Sequence, residues 1–372
     1  MMTFFDTYRS NTYAGTCNQH CFFVKREDRC TGRLYYKISY GGTYRYAFLF
    51  SNILDGTYSN GDISHRNMVC DPYTIHGMRV GRAPLDAVGT DFHGAGDALD
   101  GLTAEWQTVL FDGTPEKQVA PAEFFCTDPV EMTFDTDDYL CVEITFSGTV
   151  IPYMQEAQIP AYRKTQDGWI YDKRMPYPSM VGCDRPVKAR IGYIGDSITQ
   201  GIGPGENSYL HWNAQLSRLL GAEYSYWNLG IGCARANDIA TDSAWLYKAK
   251  QNDIVFVCCG TNDTWRGYPE EGIRNDIESI VDALNKAGVT VILQTIPPFV
   301  YKPEIADGWK RNNEYIRTVL SKKVALVFDE GAHMQESDER PEVNRYGAHP
   351  DAEGCRVWAE ALYRAIKEKD LL

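Results

Sequence analysis

The chain has no run of lysine and arginine, no long apolar stretch and no pairing pattern among its cysteines, and each lack removes a class of function. Its 372 residues carry 50 acidic against 37 basic side chains, a formal charge of −13. No basic stripe is available to neutralise phosphates, so nucleic acid is excluded as an expected partner. No window reaches the roughly 18 consecutive apolar residues that cross a bilayer, so no membrane partner is expected either. The first residues, MMTFFDTYRSNTYAG, lack the charged start, apolar core and small-residue cleavage site of a secretory signal, and a cytoplasmic location follows as an expectation. The 11 cysteines are odd in number and scattered, and Cys258 and Cys259 sit side by side in an apolar run. That usage favours reduced, buried thiols over a disulfide framework. Cys17, His20, Cys21 and Cys30 cluster without C-x2-C spacing and run into strand-like CFFVK, so no metal is expected there.

What is present divides in two, as the length alone suggests. Residues 1–150 read as a β-rich domain. RLYYKISY and YRYAFLF, separated by Gly41 and Gly42, predict a hairpin. In YLCVEITF, Leu140, Val142, Ile144 and Phe146 alternate with Tyr139, Cys141, Glu143 and Thr145. A period of two places one face in a core and the other toward water, and the natural architecture is a small antiparallel sandwich. Residues 151–186 carry prolines at 152, 160, 176, 178 and 186 and read as a connector that packs on the surface.

After Pro186 apolar strands alternate with helical patterns. Strands are predicted at 189–194, 224–228, 253–260, 289–296 and 324–329, with helices near 207–220, 238–250, 273–287, 309–320 and 351–368. Ile273, Ile277, Ile280, Val281 and Leu284 form one helical stripe that ends before Gly288. The rhythm predicts an α/β domain with a five-stranded parallel sheet covered on both faces, whose active site gathers at the carboxyl ends of the strands.

Chemistry-bearing residues fall at those ends. IGDSITQGIG places Ser197 at a strand-to-helix turn with Gly195 and Gly201 beside it. WNLGIGCARAND offers backbone N–H groups near Gly232 and Cys233, and CGTND offers the Asn262 carboxamide. One backbone and one side-chain donor are what a tetrahedral oxyanion needs. His349, in NRYGAHP, can shuttle a proton to and from Ser197. Singly, each of these features also reads as an ordinary turn, cap or solvated histidine. They occur in chain order on successive β-α units.

Residues 187–372 resemble the SGNH (GDSL) hydrolase superfamily, whose four blocks match as GDSIT at 195–199, NLGIGC at 228–233, GTND at 260–263 and HP at 349–350. The resemblance implies a three-layer α/β/α, flavodoxin-like fold and hydrolysis of esters or thioesters with no metal or other cofactor. It implies Ser197 as nucleophile, His349 as general base, and Cys233 N–H, Asn262 and the Ser197 amide as oxyanion donors, with Gly232 the substitute if the turn is shifted by one. The preceding region, through FSN at 50–52 and the run from AEWQTVLFDG through CTDPVEM to GTVIPY, is similar to the jelly-roll-like β-sandwich of two-domain bacterial relatives, several of which act on acylated carbohydrates.

Two positions depart from the pattern. Cys233 stands where the second block has glycine, and its amide serves if the local φ is negative. Tyr346 stands where the family has an acid three residues before the histidine. Three accounts stay open: Asp338, Glu339 or Glu342 orients the ring; a backbone carbonyl does, giving a Ser-His dyad; or the enzyme is impaired. Glu330-x-x-His333 mimics the family spacing and supplies a rival base. The expected activity is a serine esterase removing acetyl or another short acyl group from carbohydrate. The alternatives are a lysophospholipase, an acyl-thioesterase, an acyltransferase, or a carbohydrate-binding relative without catalysis. The tyrosines and tryptophans of the sandwich serve either its core or a sugar.

Overall fold

In the computed structural model of the chain, residues 2–24, 28–59, 62–83 and 104–372 are described. They form two units. The first comprises Met1–Thr57 and Asn67–Pro186, the second Tyr58–Arg66 and Val187–Leu372.

The first unit is built from antiparallel sheets. In one, Gly42–Ser51 pairs with Met180–Cys183 on one side and with Phe124–Cys126 and Val130–Phe134 on the other, and Arg9–Gly15 follows Met180–Cys183. In the other, Tyr139–Gly148 lies between Cys30–Lys37 and Tyr73–Ala83. The expected hairpin at Gly41 and Gly42 is not one: Cys30–Lys37 and Gly42–Ser51 belong to different sheets. The chain crosses between sheets there, and again between Phe134 and Tyr139. The two crossings are tied together, Asp137 N–H donating to Ile38 O at 2.9 Å and Gly41 N–H to Thr136 Oγ1 at 3.0 Å. A Cβ on Gly41 would stand 2.7 Å from the Phe134 carbonyl oxygen, so glycine here serves close approach of two backbones.

Alternation in Tyr139–Gly148 holds for the inner face, where Leu140, Val142, Ile144 and Phe146 are all buried. The other face is not fully solvated as expected. Tyr139 and Cys141 are buried on it in a cluster with Tyr35, Tyr162 and Trp169, so these aromatics are core. The proline-rich stretch is likewise more than a connector. It contains Val150–Tyr153, Ala161–Thr165, Gly168–Tyr171 and Met180–Cys183, all paired within the first unit. Pro160, Pro176 and Pro178 lie outside these strands, and Pro152 sits in a two-stranded ribbon, where a missing N–H is tolerated.

The second unit holds Ala189–Gly195, Tyr224–Gly230, Ile254–Cys258, Thr290–Gln294 and Leu326–Phe328 as parallel strands. Numbered along the chain, their spatial order is 2-1-3-4-5, the doubly wound, flavodoxin-like arrangement. Trp212–Leu220 packs on Ala352–Glu368, with Trp212 stacked on Trp358 at 5.0 Å between ring centroids. Ala236–Ala240 packs on Glu270–Lys286, which in turn packs on Pro303–Thr318. The predicted stripe Ile273, Ile277, Ile280, Val281 and Leu284 is buried. The strand order reverses between strands 1 and 3, the switch point at whose carboxyl ends sheets of this kind bind ligands. Among the described residues no helix is long and apolar enough to cross a membrane.

Candidate active site

Ser197 opens the short helix Ser197–Gln200 at the end of the first strand, and Asp196 caps it, its carboxylate accepting from Ile198 N–H at 3.0 Å. Burial pushes the Asp196 carboxyl up to about 6, with its acceptance from Ile198 pulling the other way. The tight turn depends on Gly195, where a Cβ would stand 2.2 Å from the Cys258 carbonyl oxygen. Gly230 closes the second strand against the same helix, since a Cβ there would meet Gln200 N at 2.1 Å. Asn228 stays structural: its Oδ1 accepts from Gly230 N–H at 2.9 Å.

His349 meets the serine. Ser197 Oγ lies 2.8 Å from His349 Nε2, and both residues are half-buried. For Nε2 to accept the hydroxyl proton, the neutral ring must carry its own proton on Nδ1. The Phe299 ring stands edge-on to the imidazole at 5.6 Å between centroids. Phe299 is itself fixed to the histidine loop, its N–H donating to Glu342 O at 3.1 Å and its carbonyl accepting from Asn344 N–H at 2.9 Å. Beyond His349, Asp351 caps the final helix by accepting from Gly354 N–H at 2.8 Å. From the other side comes Gly203, at φ +129°, where a Cβ would stand 2.2 Å from the Pro350 carbonyl oxygen. Sequence reasoning missed Gly203. Its only signal was the density of glycine in GIGPG.

The acids offered for the ring are placed as follows. Asp338 is exposed and accepts from Gln335 Nε2 at 3.0 Å. Glu339 is exposed. Glu342 contributes its main-chain carbonyl to Phe299. Tyr346 takes a packing role at the family's acid position, its Cβ standing 2.5 Å from where a Cβ on Gly354 would be. The rival pair separates: His333 is exposed and stacked on Phe328 at 5.3 Å between centroids. Glu330 is buried, and neither carboxylate oxygen has a hydrogen-bond partner among the described residues. Burial, and then the neighbouring Asp329, hold its carboxyl well above the usual range.

The second and third blocks interlock. Asn262, in the helix Thr261–Trp265, donates from Nδ2 to the Ala234 carbonyl at 2.9 Å. An amide has two N–H donors, so one remains for a ligand. Asp263 accepts from Ala236 N–H, at 3.0 Å on Oδ2 and 3.2 Å on Oδ1. Burial pushes its carboxyl up to about 7, with Asp238 and Asp276 adding to the rise. Cys233 has φ +62°, the left-handed region that glycine occupies without cost. The condition of a negative φ, set for its amide to serve, is not met: the turn holds this residue in a region that costs any side chain and that glycine occupies freely. Gly232 beside it is buried and is not among the left-handed residues. The hydroxyl and the imidazole are thus paired at 2.8 Å, and the 233–236 turn is tied to the helix Thr261–Trp265 through Asn262 and Asp263.

Residues 193–357 match the model of the GDSL-like lipase/acylhydrolase family. A curated acetylxylan esterase from Xylanibacter ruminicola is 27% identical over 218 residues, covering 48% of this chain and 43% of the relative. This chain thus spans less than half the length of the curated relative. Among solved structures, a lipolytic protein of the G-D-S-L family from Desulfitobacterium hafniense is 21% identical with a TM-score of 0.41, covering 47% of this chain and 98% of its own. Est24, a carbohydrate acetylesterase from Sinorhizobium meliloti, is 20% identical with a TM-score of 0.39, covering 50% of this chain and 100% of its own.

Proposed function

We propose, from the membership of residues 193–357 in the GDSL-like lipase/acylhydrolase family, that this chain is a serine esterase removing acetyl or another short acyl group from carbohydrate. The observation that carries the reading is the 2.8 Å contact between Ser197 Oγ and His349 Nε2. Ser197 attacks the ester carbonyl while His349 takes its proton, and the oxyanion is held by Asn262 Nδ2 with backbone amides of Ser197 and of Gly232 or Cys233. As the intermediate collapses and the bond from the acyl carbon to the sugar oxygen breaks, His349 returns the proton to that oxygen, which leaves as the hydroxyl. Water, deprotonated by the same ring, attacks the acyl-enzyme and releases the acid. No acid stands at Tyr346, and Asp338 is engaged with Gln335. Both facts support a Ser-His dyad in which a carbonyl, not a carboxylate, fixes the ring. Preference for acetyl and for carbohydrate draws on the acetylxylan esterase likeness.

The test is release of 4-nitrophenol from acetyl, butyryl and octanoyl esters, and of acetate from acetylated xylan. Ser197→Ala and His349→Ala should each lose about a thousandfold or more in kcat. Asp338→Asn and Glu342→Gln should each keep kcat within a few-fold. A thousandfold loss in Asp338→Asn would restore a triad. Absence of Ser197-dependent turnover on every ester would overturn the reading.

A further inference from the structure

A buried carboxylate of the hydrolase unit is bound by an arginine from the first fifth of the chain. Asp238 is fully buried, and its Oδ1 accepts from Arg66 Nη1 at 3.1 Å and from Arg235 Nη2 at 3.1 Å. Its Oδ2 accepts from Arg235 Nε at 2.9 Å and from the Arg235 backbone N–H at 3.0 Å. Arg235 also donates from Nη1 to Tyr268 Oη at 2.6 Å. Arg66 ends Tyr58–Arg66, the short segment that belongs to the hydrolase unit although it is far from it in sequence.

The location of this cluster gives it a consequence. Arg235 is the N-cap of Ala236–Ala240 and stands two residues after Cys233, whose left-handed φ of +62° needs surrounding contacts to persist. The turn from Gly232 to Ala236 is gripped at Ala234 O by Asn262, at Arg235 N–H by Asp238 and at Ala236 N–H by Asp263. A buried carboxylate holds such a grip only while its charge is matched. Arg235 divides its donors between Asp238 and Tyr268. Arg66, its side chain about one-third exposed, supplies the second guanidinium.

We infer that Arg66 is a positioning residue of the oxyanion hole: it fixes Asp238 Oδ1 together with Arg235 and thereby holds the Cys233–Ala236 turn in the geometry that presents backbone N–H to the developing oxyanion. The role in catalysis rests on the esterase reading, whereas the clamp itself does not. Loss of the second guanidinium leaves the buried Asp238 Oδ1 with one charged donor fewer, so the turn loosens and stabilisation specific to the transition state falls.

The experiment compares full-length wild type, Arg66→Ala and Arg66→Lys. Active sites are counted by fluorophosphonate titration, so that kcat refers to folded, reactive molecules alone. Arg66→Ala should lose roughly tenfold to a hundredfold in kcat on 4-nitrophenyl acetate with KM moved less than about threefold. Guanidinium chloride at millimolar concentration should restore part of kcat in Arg66→Ala and none in wild type, and Arg66→Lys should fall between. Hydrogen exchange in peptides covering residues 231–240 should quicken at least about tenfold in Arg66→Ala, with residues 270–286 unaffected. Wild-type kcat per titrated site, or unaltered exchange in residues 231–240, overturns the inference. Faster exchange there in a protein with no Ser197-dependent turnover would sink the esterase reading and leave the clamp standing.

Discussion

Asn262 donates from Nδ2 to the carbonyl of Ala234 at 2.9 Å, so the side chain proposed to hold an oxyanion also holds the turn proposed to supply the neighbouring backbone donor. The two donors are therefore set by one residue. Asn262→Ala should cost a hundredfold to a thousandfold in kcat, the range for loss of one oxyanion donor. Asn262→Asp should do no better, because its carboxylate repels both the oxyanion and the Ala234 carbonyl. Steady-state kinetics with KM reported separately checks this: the loss belongs in kcat.

Cys233 carries backbone strain that a glycine would remove. Cys233→Gly should stabilise the second unit by about 1 kcal/mol, the cost of a side chain in the left-handed region. Cys233→Val, β-branched at φ +62°, should destabilise it and lose at least about tenfold in kcat. Urea melts of the two variants beside wild type, followed by kinetics, decide it.

Gly203 fixes the histidine loop through its backbone. At φ +129°, with 2.2 Å between a prospective Cβ and the Pro350 carbonyl oxygen, Gly203→Ala must push residues 349 and 350 away from Ser197. The expected outcome is a fall of at least about tenfold in kcat and slower fluorophosphonate labelling of Ser197. Labelling at the wild-type rate would mean that the loop gives way without disturbing the base.

Asp263 makes stability depend on pH with a definite sign. Its folded carboxyl titrates near 7 against 3.8 for an ordinary aspartate, so between those values the folded state holds a proton the unfolded state lacks. The cost of its buried charge is fully present above pH 7 and is relieved as pH falls toward 3.8. Asp238, Asp276 and Arg235 surround it. Asp263→Asn lacks the charge, so wild type should gain on the variant by roughly 5 °C or more in Tm between pH 8 and pH 5. A constant difference across that range would contradict the assignment.

The parallel sheet was legible because its strands are continuous apolar runs between amphipathic helices, a contrast that needs no tertiary information. The pairing of Ser197 with His349 was legible from the order of the blocks that carry them. The left-handed φ of Cys233 was not, since a turn's dihedral angles are imposed by contacts such as those from Asn262 and Asp263. Gly41 and Gly42 look locally like any hairpin, and only the pairing partners of the flanking strands reveal a crossing between sheets. Prolines between 151 and 186 argued against strands, yet Pro160, Pro176, Pro178 and Pro186 all lie outside the strands of that stretch. Arg66 carried no signal at all, because its partner Asp238 is 172 positions away.

The contact between Ser197 and His349 joins residues 152 positions apart, and the helix that follows His349 docks by laying Trp358 on Trp212. During synthesis the nucleophile therefore emerges long before its base. At about 5–20 residues per second, the ribosome holds a serine without a proton acceptor for roughly 8–30 s. Over that interval the proposed nucleophile has no partner, so the Ser197–His349 pair is a product of long-range folding and cannot assemble from the segment around Ser197 alone.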